Sequence, residues 1–165
     1  NRAQLFRGEV DKYTWLDVGS SYLPSEVAAG YLLAQLQARE EIQTRRKRLW
    51  QTYYEQLEDW AEQNGVQLPV VPEHCEQPAH LFHMLMPHRA RRDALITHLA
   101  AHAIQAVFHY LPLHLSTMGQ RVAARPAPCP VTEDISGRLV RLPFFTGLEA
   151  AEQERVIDAV HAFRA

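Results

Sequence analysis

His109-Tyr110-Leu111-Pro112-Leu113-His114 gathers two imidazoles and a phenol within six residues, held by a proline with no backbone N–H to donate. Polar rings on an apolar frame suit the wall of a pocket that takes a polar ligand. The run follows a helical pattern and an apolar stretch, which places it at a strand end or in a loop, where functional groups are commonly mounted. If it is extended, His109 and Tyr110 point to opposite sides, so only one of them faces a ligand. The histidines are the expected contacts, and Tyr110 is expected in the core with its hydroxyl satisfied. A second candidate is Gly19-Ser20-Ser21-Tyr22. Small, hydroxylated residues ahead of a helix start can cradle an anion, because free N–H groups and the helix dipole both favour it. Plain helix capping explains the same residues equally well.

Other chemistries find less support. Among nine histidines, His80 and His83 lie three apart in an expected strand, where side chains alternate and cannot share an ion. His98 and His102 share a helix face, but the intervening residues lack the glutamate of an HExxH zinc protease, and the pair reads as exposed. Cys75 beside His74 has no second cysteine nearby to complete a zinc site. No metal site is expected. There is no Gly-x-Ser-x-Gly elbow, Cys129 lies between two prolines, and the glycines form no phosphate loop. No residue of this chain is assigned a catalytic role.

The elements that must position these groups follow from pattern. A chain of 165 residues with 47% hydrophobic residues can build one substantial core. A net charge of −2 argues against a nucleic-acid partner, whose grip rests on clustered positive charge. The exception, Arg45-Arg46-Lys47-Arg48, sits in a helical pattern and reads as a solvated face. No apolar run approaches the roughly 20 residues that span a membrane, so no membrane insertion is expected. Two distant cysteines fit a reducing, cytoplasmic setting. The opening Asn-Arg-Ala-Gln suggests a piece of something longer.

Residues 1–24 are irregular. Ser25 looks like an N-cap with Glu26 in the first turn. The helical pattern then runs to Asn64-Gly65; unbroken, it spans about 39 residues or 58 Å at about 1.5 Å per residue. Its ends are apolar and its middle charged, as in a helix that joins two packed bodies. Beyond it come an extended stretch from Val66, a strand over His80–Met86, a helix over Arg91–Ala103 and a strand over Ile104–Leu111. A proline-bearing loop through Pro130 follows, then a short helix from Thr132 to about Leu142 and a closing amphipathic helix over Glu149–Phe163. Helices interleaved with a few strands make a small α+β domain.

Taken in order, these landmarks resemble one family. The run Tyr13-Thr14-Trp15-Leu16-Asp17-Val18-Gly19-Ser20-Ser21-Tyr22, then Ser25-Glu26, Ala28-Ala29 and Gln35-Leu36, is similar to the segment after the catalytic lysine in the DegT/DnrJ/EryC1/StrS sugar-nucleotide aminotransferases. His109-Tyr110-x-Pro112-Leu113-His114 and Arg138-Leu139-x-Arg141-Leu142-Pro143 continue the match in order, over essentially the whole chain. The resemblance implies an α/β protein of the PLP-dependent transferase fold type I, aspartate-aminotransferase-like. Residues 1–24 would be the end of the large PLP-binding domain, 25–63 a long connecting helix, and 64–165 the C-terminal small α+β domain.

It also implies pyridoxal phosphate (PLP) held by a lysine, transfer of an amino group from glutamate to the 4-keto carbon of a dTDP-sugar, and a homodimer with the active site at the subunit interface. By position, Ser20, Ser21 and Tyr22 approach the PLP phosphate. Many relatives carry an asparagine near Ser21, a departure that bears on that contact. Lys12 and Tyr13 meet the charged and polar groups of the sugar nucleotide, and His109 and His114 line its side. The chain has only two lysines, Lys12 and Lys47, and neither stands where the family places its reactive lysine. That lysine is expected upstream of residue 1, which would leave this part inactive alone. The competing expectation is a non-catalytic helical interaction or dimerisation module.

Overall fold

A computed structural model describes residues 22–122 and 128–164, which leaves Lys12, Tyr13, Ser20 and Ser21 outside the described residues. The chain divides into two compact units, the first ending at Gln37 and the second beginning at Ala38. In the first, helix α1 (Glu26–Gln37) starts where the sequence suggests. The Ser25 hydroxyl accepts a hydrogen bond from the Ala28 N–H at 3.2 Å, satisfying a donor the first turn cannot. No residue of α1 is buried; Val27, Tyr31, Leu33 and Leu36 are all exposed.

Helix α2 (Arg39–Gln63) opens the second unit. The stretch expected as one helix over 25–63 is therefore two, separated at Ala38, whose φ of −86° and ψ of 6° leave the helical region. Nothing in Gln37-Ala38-Arg39 signals that break. The far end behaves as read. Gly65 takes φ +64°, its N–H meets the Glu62 carbonyl, and the Val66 N–H reaches the Ala61 carbonyl at 2.8 Å. These bonds form a Schellman stop, which a glycine satisfies without Cβ strain. Leu49, Tyr53, Leu57 and Trp60 recur every three or four residues and bury one face of α2.

A three-stranded antiparallel sheet packs under it, with β1 (His83–Leu85), β2 (Val107–Phe108) and β3 (Leu139–Arg141) in the order β1-β3-β2. The sequence pattern had ended a helix at about Leu142. Here α5 (Pro130–Arg138) stops short, and the next three residues are the central strand. Alternation explains the choice: Val140 and Leu142 are buried while Arg141 between them is half-buried. The other strands are shorter than expected, because pairing with β3 limits them to its three positions.

Helix α3 (Arg89–Ala101) buries Leu95 and Leu99, and α6 (Ala150–Ala162) buries Val156, Ile157 and Val160. Between the strands and α5, the expected proline-bearing loop contains a 3-10 turn (Leu113–Leu115) and helix α4 (Thr117–Val122). The core centres on Tyr53, Leu57, Phe82, Met84 and Val140, all without solvent exposure, and the Tyr53 ring lies 5.1 Å from that of Phe82. Burial pushes the Tyr53 phenol well above its ordinary pKa, so it stays neutral and donates to the Pro143 carbonyl at 3.0 Å.

Arg45, Lys47 and Arg48 of the basic run on α2 are exposed, as a solvated face requires, but Arg46 is half-buried. Arg46 donates to the carbonyls of Ala79 and His80 and lies over the Phe144 ring at 4.9 Å. Arg45 pairs with Glu149 at 2.7 Å, and Lys47 bonds to Glu76. A long cation can cover apolar surface with its stem while its head bonds to a neighbouring segment, and Arg46 does so. His98 likewise is no exposed bystander. Its Nε2 bonds to the Ala159 carbonyl at 2.8 Å and its ring packs on Phe163, tying α3 to α6.

Candidate functional site

Strand register builds the site. His83 and Val107 both face Arg141 across the sheet, while Met84 and Phe108 face Val140. Residues two apart share a face, so Met84 and Val140 point into the core. His83, Leu85, Val107, Leu139 and Arg141 lie on the opposite face, half-buried. β2 ends at Phe108, and the polar run begins immediately beyond it.

There the expectation of opposed side chains fails. The His109 and Tyr110 rings stack with centroids 3.8 Å apart. One nitrogen of Arg141, Nη1, reaches both: His109 Nδ1 at 2.8 Å and the Tyr110 hydroxyl at 3.0 Å. Alternation holds only inside a strand, and these residues follow one. Nor is Tyr110 a core residue: it is 60% exposed, although its hydroxyl is satisfied as expected.

Burial first, the Arg141 charge second and His80 third hold the His109 imidazole below its ordinary pKa. His83 is lowered in the same direction by burial, then by His109 and His80. The strand begins only at His83, so strand alternation does not apply to His80. Near neutrality this face therefore carries neutral imidazoles beside one permanent cation. Among the described residues no carboxylate pairs with Arg141, and its Nε is buried without a partner.

His109 and Tyr110, with Leu111 and Pro112, form one side of a recess of about 370 Å³; Val131, Thr132, Ile135 and Ser136 of α5 form the other. His114 is not part of its lining. Its Nε2 bonds to Glu133 Oε1 at 2.9 Å, and Glu133 also accepts the Cys129 N–H at 3.1 Å. Those bonds hold the Glu133 carboxyl below the usual carboxylate range. His114 thus fastens the loop to α5, whereas His109 looks into the recess. Tyr22, the one described member of the expected cofactor contacts, is 92% exposed.

A larger groove of about 990 Å³ runs between α2 and α6, but the Arg45–Glu149 pair lies in it and it contains none of the expected site residues. No group of three potential metal-ligating side chains comes together among the described residues. No described helix is long and apolar enough to cross a membrane. The described residues also do not fit PLP as its covalent seat. Lys47 is exposed and its ammonium is bonded to Glu76, and the other lysine, Lys12, lies outside them.

Arg141 is the functional candidate that residue-by-residue reading missed. The sequence pattern puts it near the end of the helix expected from Thr132 to about Leu142. The signal lay in Leu139-Val140-Arg141-Leu142-Pro143, an alternating run closed by proline, two residues after Gly137.

Comparison with known proteins agrees with this architecture. The dTDP-3-amino-3,4,6-trideoxy-alpha-D-glucose transaminase of Micromonospora megalomicea subsp. nigra is 31% identical over 82% of this chain and 36% of its own length. The crystal structure of Streptomyces venezuelae DesV in complex with a ketimine intermediate superposes with a TM-score of 0.79 and 30% identity, covering 95% of this chain and 41% of that one. A DegT/DnrJ/EryC1/StrS aminotransferase from Brucella abortus gives a TM-score of 0.76 at 27% identity, over 97% and 41%. The chain spans about two fifths of the length of the relatives it matches. Its fold is part of the type I fold of PLP-dependent sugar aminotransferases. A family model matches residues 2–161, and the chain belongs to the DegT/DnrJ/EryC1/StrS aminotransferase family.

Proposed function

We propose that this chain is the C-terminal part of a PLP-dependent transaminase that moves an amino group from glutamate to the 4-keto carbon of a dTDP-4-keto-6-deoxyhexose. The observation that carries the reading is the family match over residues 2–161, and the recess beside His109 and Tyr110 supports it by offering polar rings to a ligand. In this reading the lysine that carries PLP is neither of the two in the chain, so the chain alone is inactive. Residues 1–24 close the large domain, 25–63 connect, and 64–165 form the small domain. Ser20, Ser21 and Tyr22 contact the PLP phosphate of a neighbouring subunit in a cytoplasmic homodimer. Lys12, Tyr13 and His109 contact the sugar nucleotide, and His114 contributes by holding the loop that bears His109.

The Tyr13-Thr14-Trp15 to Ser20-Ser21-Tyr22 run favours, as the individual member, a dTDP-4-amino-4,6-dideoxygalactose transaminase of enterobacterial common antigen assembly. The relatives found by comparison include transaminases named for 3-amino sugars, so the position aminated is the sharpest test. The enzyme containing this chain, supplied with PLP and glutamate, is expected to aminate a dTDP-4-keto-6-deoxyhexose at C4, as read by NMR of the product. Amination of a 3-keto isomer instead overturns the 4-keto assignment. Incubation of the chain alone with PLP and borohydride is expected to label no lysine stoichiometrically; full labelling of Lys12 overturns the assignment of the reactive lysine.

A further inference from the structure

Arg141 stands on the central strand of the sheet, between His83 on β1 and Val107 on β2. Its Nη1 has two hydrogens, and the geometry uses both, one toward His109 Nδ1 at 2.8 Å and one toward the Tyr110 oxygen at 3.0 Å. A guanidinium keeps its protons at every pH a protein survives, so each of those contacts can run only from arginine to its neighbour. His109 Nδ1 must then present a lone pair. The proton of its neutral ring is left on Nε2. The Tyr110 oxygen accepts as well, which frees its own O–H to turn outward.

We propose that Arg141 is a positioning residue that locks His109 in the Nε2–H tautomer and makes His109 and Tyr110 paired hydrogen-bond donors for an oxyanion of the bound ligand. The inference rests on the reading of this recess as a substrate wall, and it adds the chemical class of the group recognised there. Three observations point to an oxyanion. Both rings line the same recess, stacked at 3.8 Å, so their donors work side by side. The nearest permanent charge is the Arg141 cation, which no carboxylate neutralises among the described residues. The groups that act on His109 electrostatically, Arg141 and His80, are both basic, so any charge they carry is positive. Neutral His109 donates without requiring protonation, and recognition persists at and above neutrality. An oxyanion of this kind is offered by a nucleotide's diphosphate and by an amino donor's carboxylate.

The test uses the full 165-residue chain, labelled with 15N at histidine. Two-bond nitrogen–proton NMR is expected to show His109 as the Nε2–H form. Arg141→Met is expected to give a mixture of tautomers and to raise the His109 pKa toward its ordinary value. A mere packing role would move neither signal. Arg141→Lys is expected to recover part of the tautomer bias. Inorganic pyrophosphate and glutarate, titrated separately, identify the source of the oxyanion. The one that shifts the His109 signals is expected to bind about tenfold more weakly to Arg141→Met, the effect of losing charge-assisted donors.

An Nδ1–H form in the unsubstituted chain overturns the proposal, and that measurement stands even if the variants fail to fold. So does failure of both anions to perturb His109. Should the tautomer and anion binding be as expected while the complete enzyme aminates no sugar nucleotide, the functional assignment falls and the role of Arg141 stands.

Discussion

The two faces of one small sheet have opposite tasks. Met84 and Val140 point inward with no exposure, joined by Phe82, Tyr53 and Leu57 in an apolar core. One residue along, His83 and Arg141 point the other way, half-buried, where His109 and Tyr110 converge on a cation. A strand places neighbours on opposite faces at a spacing of one residue. The apolar layer that stabilises the domain is therefore also the support that holds the polar layer in register. Rigid strands position side chains better than loops can, and here the loop residues His109 and Tyr110 are pinned to a strand residue. A wall for a ligand gains preorganisation from that arrangement.

The largest test of this contrast is Phe82→Ala, which should cost about 3–5 kcal/mol of folding stability by leaving a cavity under α2. Urea denaturation measures it. A loss near zero would mean the inner face is not the structural one. Smaller is Gln153→Leu. The buried Gln153 amide donates to the Leu49 carbonyl at 2.7 Å, joining α6 to α2. Its removal leaves the Leu49 carbonyl with its helical partner alone, and about 0.5–1.5 kcal/mol should disappear from the same denaturation curve.

The smallest effect belongs to the outer face and depends on pH. His83 and His109 have depressed pKa values in the folded protein, so below the ordinary imidazole value of about 6.5 the unfolded chain binds protons that the folded one does not. Stability contributed by these groups is present above that value and is lost as pH falls through the window toward the lowered folded values. His83→Gln should reduce the drop in urea midpoint between about pH 7.5 and about pH 5.5. An unchanged drop would assign the acid sensitivity elsewhere.

The capped helix ends and the apolar stripes were the most legible parts of the fold. Ser25 caps α1, Asn64 and Gly65 end α2, and the apolar stripes of α2 and α6 bury the residues their spacing indicates. Local chemistry decides such features, because caps and stripes act within a turn or two. The site was legible in part. The polar run was found, but His114 proved to bond Glu133, and Arg141 was hidden in a stretch assigned to a helix. The break at Ala38 and the tying of the basic run to Ala79, His80, Glu76 and Glu149 have no local signature.

The sequence by itself determined the family, the apolar stripes, the terminal caps and the presence of two imidazoles and a phenol beside a proline. Only the tertiary structure decided which of those rings share a side and what they touch. A strand exists through partners distant in sequence, so Arg141 could be placed beside His109 only once β3 had paired with both β1 and β2. The polar run is a property of six consecutive residues. The donor pair that faces the recess is a property of the sheet.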